Sequence, residues 1–385
     1  MNDFATKLGA VLDDAAAHLR SWYDGLEYQG GGGGLILYGV AFAMLILPLA
    51  LFGADYLRNA RKQPKGQPGR LPAASKNLPI PKPIKVKELR IYPIKSCRGF
   101  TVKKAKVLNT GLDLDRNWMF ADAQKMKMMT IRQVSEMTLI DTKVTDNDKL
   151  VVSIRGKPDV KFTIDAHPTE EWLKANTTLT ECEIWEKKTD GWMYSEEMTK
   201  PFSEFLGKEV RFLYKGPTRR NLPPQGRPEV LGRIGSTKFA DFMPVQVSNQ
   251  RSIEELNSRL KAVGEDEITI ERFRPNIVVE GEEPWYEDVW KTIRVGGKKP
   301  GNITLDIPVR CARCQVPNVN PDTGVKNPKQ PWDTLMKYRR IDQGINFKPC
   351  FGLLCVPRSE GFIEAGTEFE VLEVTEEHNW KGINF

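Results

Sequence analysis

The sequence predicts an α+β, mainly β, protein preceded by one transmembrane helix. Three observations carry this. After residue 85, short β-prone runs recur with turn residues between them; helical periodicity is confined to a few segments; and one uncharged apolar run of 21 residues lies near the start.

In chain order, residues 1–33 place Phe4, Leu8, Val11, Leu12, Ala15, Leu19 and Trp22 at helical spacing, which predicts an amphipathic helix over 4–23. Residues 34–54, GLILYGVAFAMLILPLALFGA, are long enough as a helix to cross a hydrocarbon core of about 30 Å. The run starts too far in, and lacks the basic lead, for a cleavable signal. Residues 55–85 carry Arg58, Arg61, Lys62, Lys65, Arg70, Lys76, Lys82 and Lys85 against Asp55 alone, a net +7, whereas residues 1–33 carry −3. Basic flanks resist translocation, so the long C-terminal part is expected in the cytosol. Six prolines between 64 and 83 make this segment an extended spacer, and its charge favours an anionic bilayer.

Beyond the spacer, strands are expected at KELRIYPI, AKVLN, WMFAD, KLVVSI, VKFTI, ECEIW, VRFLY, NIVVE, NITLDI and TEFEVLEV. Helices are expected at Ser195–Leu206, where Phe202, Phe205 and Leu206 share a face, and at Ser252–Val263, with Ser252 as cap and Glu255 completing a capping box.

Composition narrows the chemistry. The whole chain carries +7, as much as the spacer alone, so the main body is near neutral and no nucleic-acid footprint is expected. Three histidines, His18, His167 and His378, exclude His-rich metal centres. No GxGxxG follows a strand, and neither a P-loop nor a GxSxG elbow is present. Six cysteines are too few for a disulfide scaffold and point to a reducing compartment.

Cys311-Ala-Arg-Cys314 is the sharpest local feature. Spacing alone leaves three readings. Cys311, Cys314, Cys350 and Cys355 could form a structural zinc site; one thiolate could be a ligand or nucleophile with its pKa lowered by Arg310 and Arg313; or all four could be small buried hydrophobes.

Four motifs in order change the balance: Ile91-Tyr-Pro-Ile-Lys-Ser-Cys97, Leu114-Asp-Arg-Asn-Trp118, Arg272-Phe-Arg-Pro-Asn276, and Arg310-Cys-Ala-Arg-Cys314 with Asn320-Pro-Asp-Thr-Gly324. Across roughly residues 86–375 the chain closely resembles the MOSC-domain molybdenum proteins, and within them the amidoxime-reducing components of the outer mitochondrial membrane. The resemblance implies a β-barrel-like N-terminal MOSC domain at 86–215, a MOSC β-barrel core at 216–375, a tail at 376–385, and a molybdenum-pterin cofactor in the cleft between the two domains. It implies Cys314 as the catalytic thiolate on molybdenum, with Lys95, Ser96, Arg116, Arg274, Asn276 and Arg313 as cofactor-binding residues. Such a set suits an anionic, heterocyclic ligand.

The implied activity is two-electron reduction of small N-hydroxylated compounds, amidoximes and hydroxylamines. Electrons would come from a cytochrome b5-type haem protein and its flavin reductase, at the mitochondrial outer membrane or the endoplasmic reticulum. The chain departs from the family pattern at Phe242 and Met243, where relatives carry a hydroxyl pair, at Ala312, and at Leu354. Two alternatives stand beside this reading. One is a zinc-stapled membrane scaffold without activity. The other is a molybdenum-cofactor sulfuration or delivery module, which the lack of a preceding pyridoxal-phosphate sulfurase domain disfavours.

Overall fold

The computed structural model describes residues 71, 73–297, 301–378 and 380. The expected amphipathic segment and membrane anchor, and most of the basic spacer, lie outside them. Among the described residues no helix is long and apolar enough to cross a membrane. Residues 73–83, the end of the Pro-rich spacer, carry neither helix nor strand.

Seven strands close into a barrel. The order is Ile277–Glu280, Val245–Asn249, Cys350–Pro357, Ile303–Ala312, Trp290–Val295, Glu368–Val374 and Ile84–Ile91, and the last pairs back to the first. Ile84–Ile91 therefore belongs to the same closed sheet as strands more than 150 residues later. Its burial alternates along IKVKELRI, with Ile84 and Val86 inside and Lys85 and Lys87 outside, as a stave with one wet face requires. Its far end also pairs with Phe100–Val102.

Val245–Asn249 and Ile277–Glu280 are the one parallel pair of the barrel, and the helix Gln250–Ala262 lies in the crossover that a parallel pairing demands. This helix does not start as its sequence suggests. Asn249 is the cap, its side chain accepting from Arg251 N, and the Ser252–Glu255 capping box does not form. Ser252 is fully buried and is used in tertiary bonds: it donates to Glu287 Oε1 at 2.6 Å and accepts from Trp285 N at 2.8 Å. Glu255 accepts from Trp285 Nε1 and Tyr338 OH. The other expected helix forms as Glu196–Leu206, begins after Ser195, and stops at Gly207 in the left-handed region.

A second sheet of four antiparallel strands, in the order Trp118–Asp122, Val210–Lys215, Lys187–Met193 and Thr178–Ile184, is backed by the aromatic cluster Phe120, Phe162, Phe202 and Phe212. Every strand expected from sequence is present within a few residues of its run.

Between Arg310 and Ala312 the barrel register slips, so that Phe351 and Gly352 face Cys311 alone. This is a bulge, and Gly352 at φ +73° absorbs it. A Cβ at that position would lie 2.6 Å from both Ser248 Oγ and Val247 O. Gly352→Ala is expected to cost about 2–3 kcal/mol from left-handed strain and overpacking, read as a lower denaturation midpoint.

Candidate functional site

The motif loops converge through backbone bonds. Arg116 N donates to Tyr92 O at 2.8 Å, Lys95 N to Trp118 O at 2.8 Å, Trp118 N to Pro93 O at 3.0 Å, and Phe239 N to Arg116 O at 3.0 Å. Arg274, which ends the short turn Ile270–Phe273, adds Nη1 to Cys97 O at 2.8 Å. Ser96, Leu114, Arg116 and Arg274 all hold positive φ without being glycine, at 71°, 64°, 52° and 57°. Such strain persists where the surroundings over-determine the backbone, and it gathers at functional sites.

Two foci result. At the first, the guanidinium carbons of Arg116 and Arg274 lie 4.5 and 4.3 Å from the centre of the buried Tyr92 ring. Arg116 pairs with Asp115 and also donates to Arg274 O at 3.3 Å. Arg274 has no ion pair among the described residues, and its buried Nη2 has no hydrogen-bond partner there. Its pKa is pushed down by burial first and by Arg116 next. Two close cations share the single nearby carboxylate of Asp115, and with one donor left unpartnered they form a place suited to a further anion.

At the second focus, Cys314 is the one half-exposed cysteine among the described residues; the other five are buried. Arg132 Nη2 donates to Cys314 Sγ at 3.2 Å and to Asp241 Oδ2 at 3.3 Å. Asp241 also pairs with Lys95 and accepts from Trp185 Nε1 at 3.2 Å. Burial pushes Lys95 down to about 8 against the opposing pull of Asp241. The protein around Asp241 disfavours its charge, yet Lys95 and Arg132 outweigh that and hold it far below the ordinary carboxylate range. Arg220 braces the loop by donating to Lys238 O at 3.0 Å and to Ala240 O. Burial pushes the Lys348 amine down, and the Cys314 sulfur lies close enough to oppose that shift.

Lys95, Arg116, Arg274 and Cys314 thus line these foci, and Ser96 lies half-buried between Lys95 and Cys97. Two others face elsewhere. Asn276 is buried with its amide engaged by Gln246 N and Arg90 O. Arg313 is buried beneath the bulge, donating to Gln246 Oε1, Cys311 Sγ and Phe273 O, with only its Nε unpartnered.

The four-cysteine zinc site does not form: among the described residues no three metal-ligating side chains cluster. Burial pushes Cys350 up to about 12 and raises Cys311 and Cys355 as well. Arg310 does not activate Cys314, because it pairs with Asp342 and donates to Asp288 O and Glu376 O. Phe242, where the family pattern has a hydroxyl, stacks on Trp380 with centroids 5.0 Å apart.

Sequence reasoning missed Arg132, Trp185, Arg220, Asp241 and Lys348. Asp241 carried a signal in Asp-Phe-Met-Pro, whereas Arg132 and Trp185 reach Cys314 and Asp241 only through tertiary packing.

Comparison with known proteins follows this geometry. The MOSC N-terminal beta barrel domain matches residues 84–209 and the MOSC domain matches residues 235–370. The mouse mitochondrial amidoxime-reducing component 1 is 30% identical over 290 residues, covering 73% of this chain and 80% of its own length. The human mitochondrial amidoxime reducing component 2 is 30% identical over 295 residues, covering 73% and 81%. A molybdenum cofactor sulfurase of Arabidopsis thaliana is 29% identical over 278 residues, covering 68% of this chain and only 32% of the sulfurase, so the chain matches about a third of that protein. The strained motif loops, the cationic foci and these matches agree: the chain belongs to the MOSC-domain family, the family of the amidoxime-reducing components and the molybdenum cofactor sulfurases.

Proposed function

We propose that this protein is a membrane-anchored molybdenum-pterin oxidoreductase that reduces amidoximes and hydroxylamines with electrons from a cytochrome b5-type chain. The observation that carries the reading is the half-exposed Cys314 thiol among cations. At the other focus, the Arg274 guanidinium makes no ion pair among the described residues and leaves Nη2 without a hydrogen-bond partner. The donor set fits the cofactor: a soft sulfur for molybdenum at Cys314, Arg116 and Arg274 for the anionic pterin phosphate, and Lys95, beside Asp241, as a further cation for the cofactor. When bound, the cofactor supplies the two-electron redox step.

The protein groups bind, orient and supply protons. Cleaving an N–OH bond to water consumes two electrons and two protons, and Lys95 Nζ, with its pKa near 8, holds an exchangeable proton beside the Asp241 carboxylate. Asp241 and Arg132 offer an acceptor and a donor to the N-hydroxyl group. An amidine product is a stronger base than the amidoxime and leaves as a cation, which Arg132 and Lys348 repel. For the anchor, the uncharged run at 34–54 and the basic segment after it support a cytosol-facing domain, with the outer mitochondrial membrane as the proposed location.

The test is metal and pterin analysis of the purified chain, together with benzamidoxime reduction driven by the haem protein and its flavin reductase. Stoichiometric molybdenum and pterin with turnover are expected. Zinc without pterin would overturn the reading in favour of a scaffold, and bound cofactor with sulfur transfer but no reduction would favour a delivery module.

A further inference from the structure

The hairpin between Thr178–Ile184 and Lys187–Met193 turns through two residues only, Trp185 and Glu186, with φ of 49° and 60°. Such turns favour Asn-Gly or Asp-Gly, because a Cβ is strained in the left-handed region. Trp185 is therefore a poor choice for the turn itself, and burial does not offset the strain, since the residue is 45% exposed. Its contacts point to the site instead. Its Nε1 donates to Asp241 Oδ1 at 3.2 Å, and the Arg132 guanidinium that reaches Cys314 Sγ lies 4.9 Å from its ring centre. The hairpin is fastened there by backbone bonds from Met128 N to Glu183 O and from Glu183 N to Met126 O, at 3.0 and 2.9 Å.

We propose that Trp185 is the specificity-determining wall of the site, an exposed indole against which the flat ring of an aryl amidoxime stacks while its N-hydroxyl end faces Asp241 and Cys314. The inference rests on the reductase reading of Cys314. Arg132 and Asp241 fix the indole from its ring face and its N–H edge, so the wall is ordered before substrate arrives and little rotamer freedom is lost on binding. An aryl ring gains the offset stacking of an aromatic pair; an alkyl substrate of the same head group does not.

The experiment measures kcat and KM for benzamidoxime and acetamidoxime, in preparations of equal molybdenum and pterin content, for wild type, W185A, W185F and the double variant W185N/E186G. In W185A the ratio of kcat/KM for benzamidoxime over acetamidoxime should fall by about five- to tenfold, mainly through KM, the amount one stacked pair supplies. W185F keeps an aromatic face but loses the N–H, so both rates fall while the ratio stays within about twofold of wild type. The double variant installs the preferred turn pair: it should melt at a higher temperature than wild type and still lose the ratio, which a purely structural Trp would not do. Benzamidoxime should also quench indole fluorescence in the wild-type chain more than in W185F.

An unchanged ratio in W185A, or equal loss for both substrates, would overturn the wall while leaving the reductase reading intact. No reduction of either substrate by loaded wild type would overturn the reductase reading and the wall with it.

Discussion

Cys314→Ala is expected to abolish reduction of benzamidoxime, with a loss greater than about a hundredfold. Changing a residue that merely supports a metal ligand costs about 10–100-fold, and on the proposed assignment removing the thiolate itself would change both the potential and the geometry of the metal. Cys311→Ala should be far milder. Its buried thiol only accepts from Arg313 Nη1 at 2.8 Å, and the substitution leaves Cys314 Sγ and Arg132 in place. The measurement is steady-state reduction together with molybdenum per chain for both variants. Equal loss of metal from the two, with zinc as the metal found, would sink the assignment of Cys314.

The second large effect concerns the cations. Arg116→Gln, Arg274→Gln and Lys95→Gln should each weaken cofactor retention by roughly 1.5–3 kcal/mol, the range for a hydrogen bond to a charged group, or about ten- to a hundredfold. Arg116 and Arg274 lie over one ring and share one nearby carboxylate, so their double substitution should cost less than the sum of the two. Without cofactor, the Arg274 charge is buried beside a like charge, so the cofactor-free Arg274→Gln chain should lose little melting temperature. Lys174, exposed and paired only with Glu170 on its own helix, is the control. Molybdenum and pterin per chain after desalting decide the matter: wild-type stoichiometry in all three variants would reduce these residues to structural charges.

Much of the fold was legible from local pattern. Runs such as KLVVSI and VRFLY alternate or saturate with β-branched and aromatic residues, and both form strands where expected. Three barrel strands, Val245–Asn249, Trp290–Val295 and Cys350–Pro357, gave weaker signals. Val245–Asn249 contains Gln246, Ser248 and Asn249 and is buried throughout, because each polar side chain finds a partner: Gln246 accepts from Arg313 and donates to Ser248 on its own strand, and Asn249 donates to Glu283 O and Glu287. Cys350–Pro357 is uniformly buried and has no alternation to read. The false capping box at Ser252 shows the same limit: a local rule offered a partner, and the buried carboxylate of Glu287 offered a stronger one.

By itself the sequence determined the β-rich class, the apolar run and basic flank at the N-terminus, and the four motifs that place the chain in its family. These are local properties: hydrophobic period, charge per segment, and residue types at fixed spacing. Only the tertiary structure decided which cations meet which thiol. Arg132, Asp241 and Trp185 come from three separate loops and reach Cys314 or one another over sequence separations of 56 to 182 residues. Asn276 and Arg313, within motifs, turn instead into backbone and core bonds. Barrel closure and the bulge at Gly352 set those directions, and both depend on long-range strand register, which no local window of sequence contains.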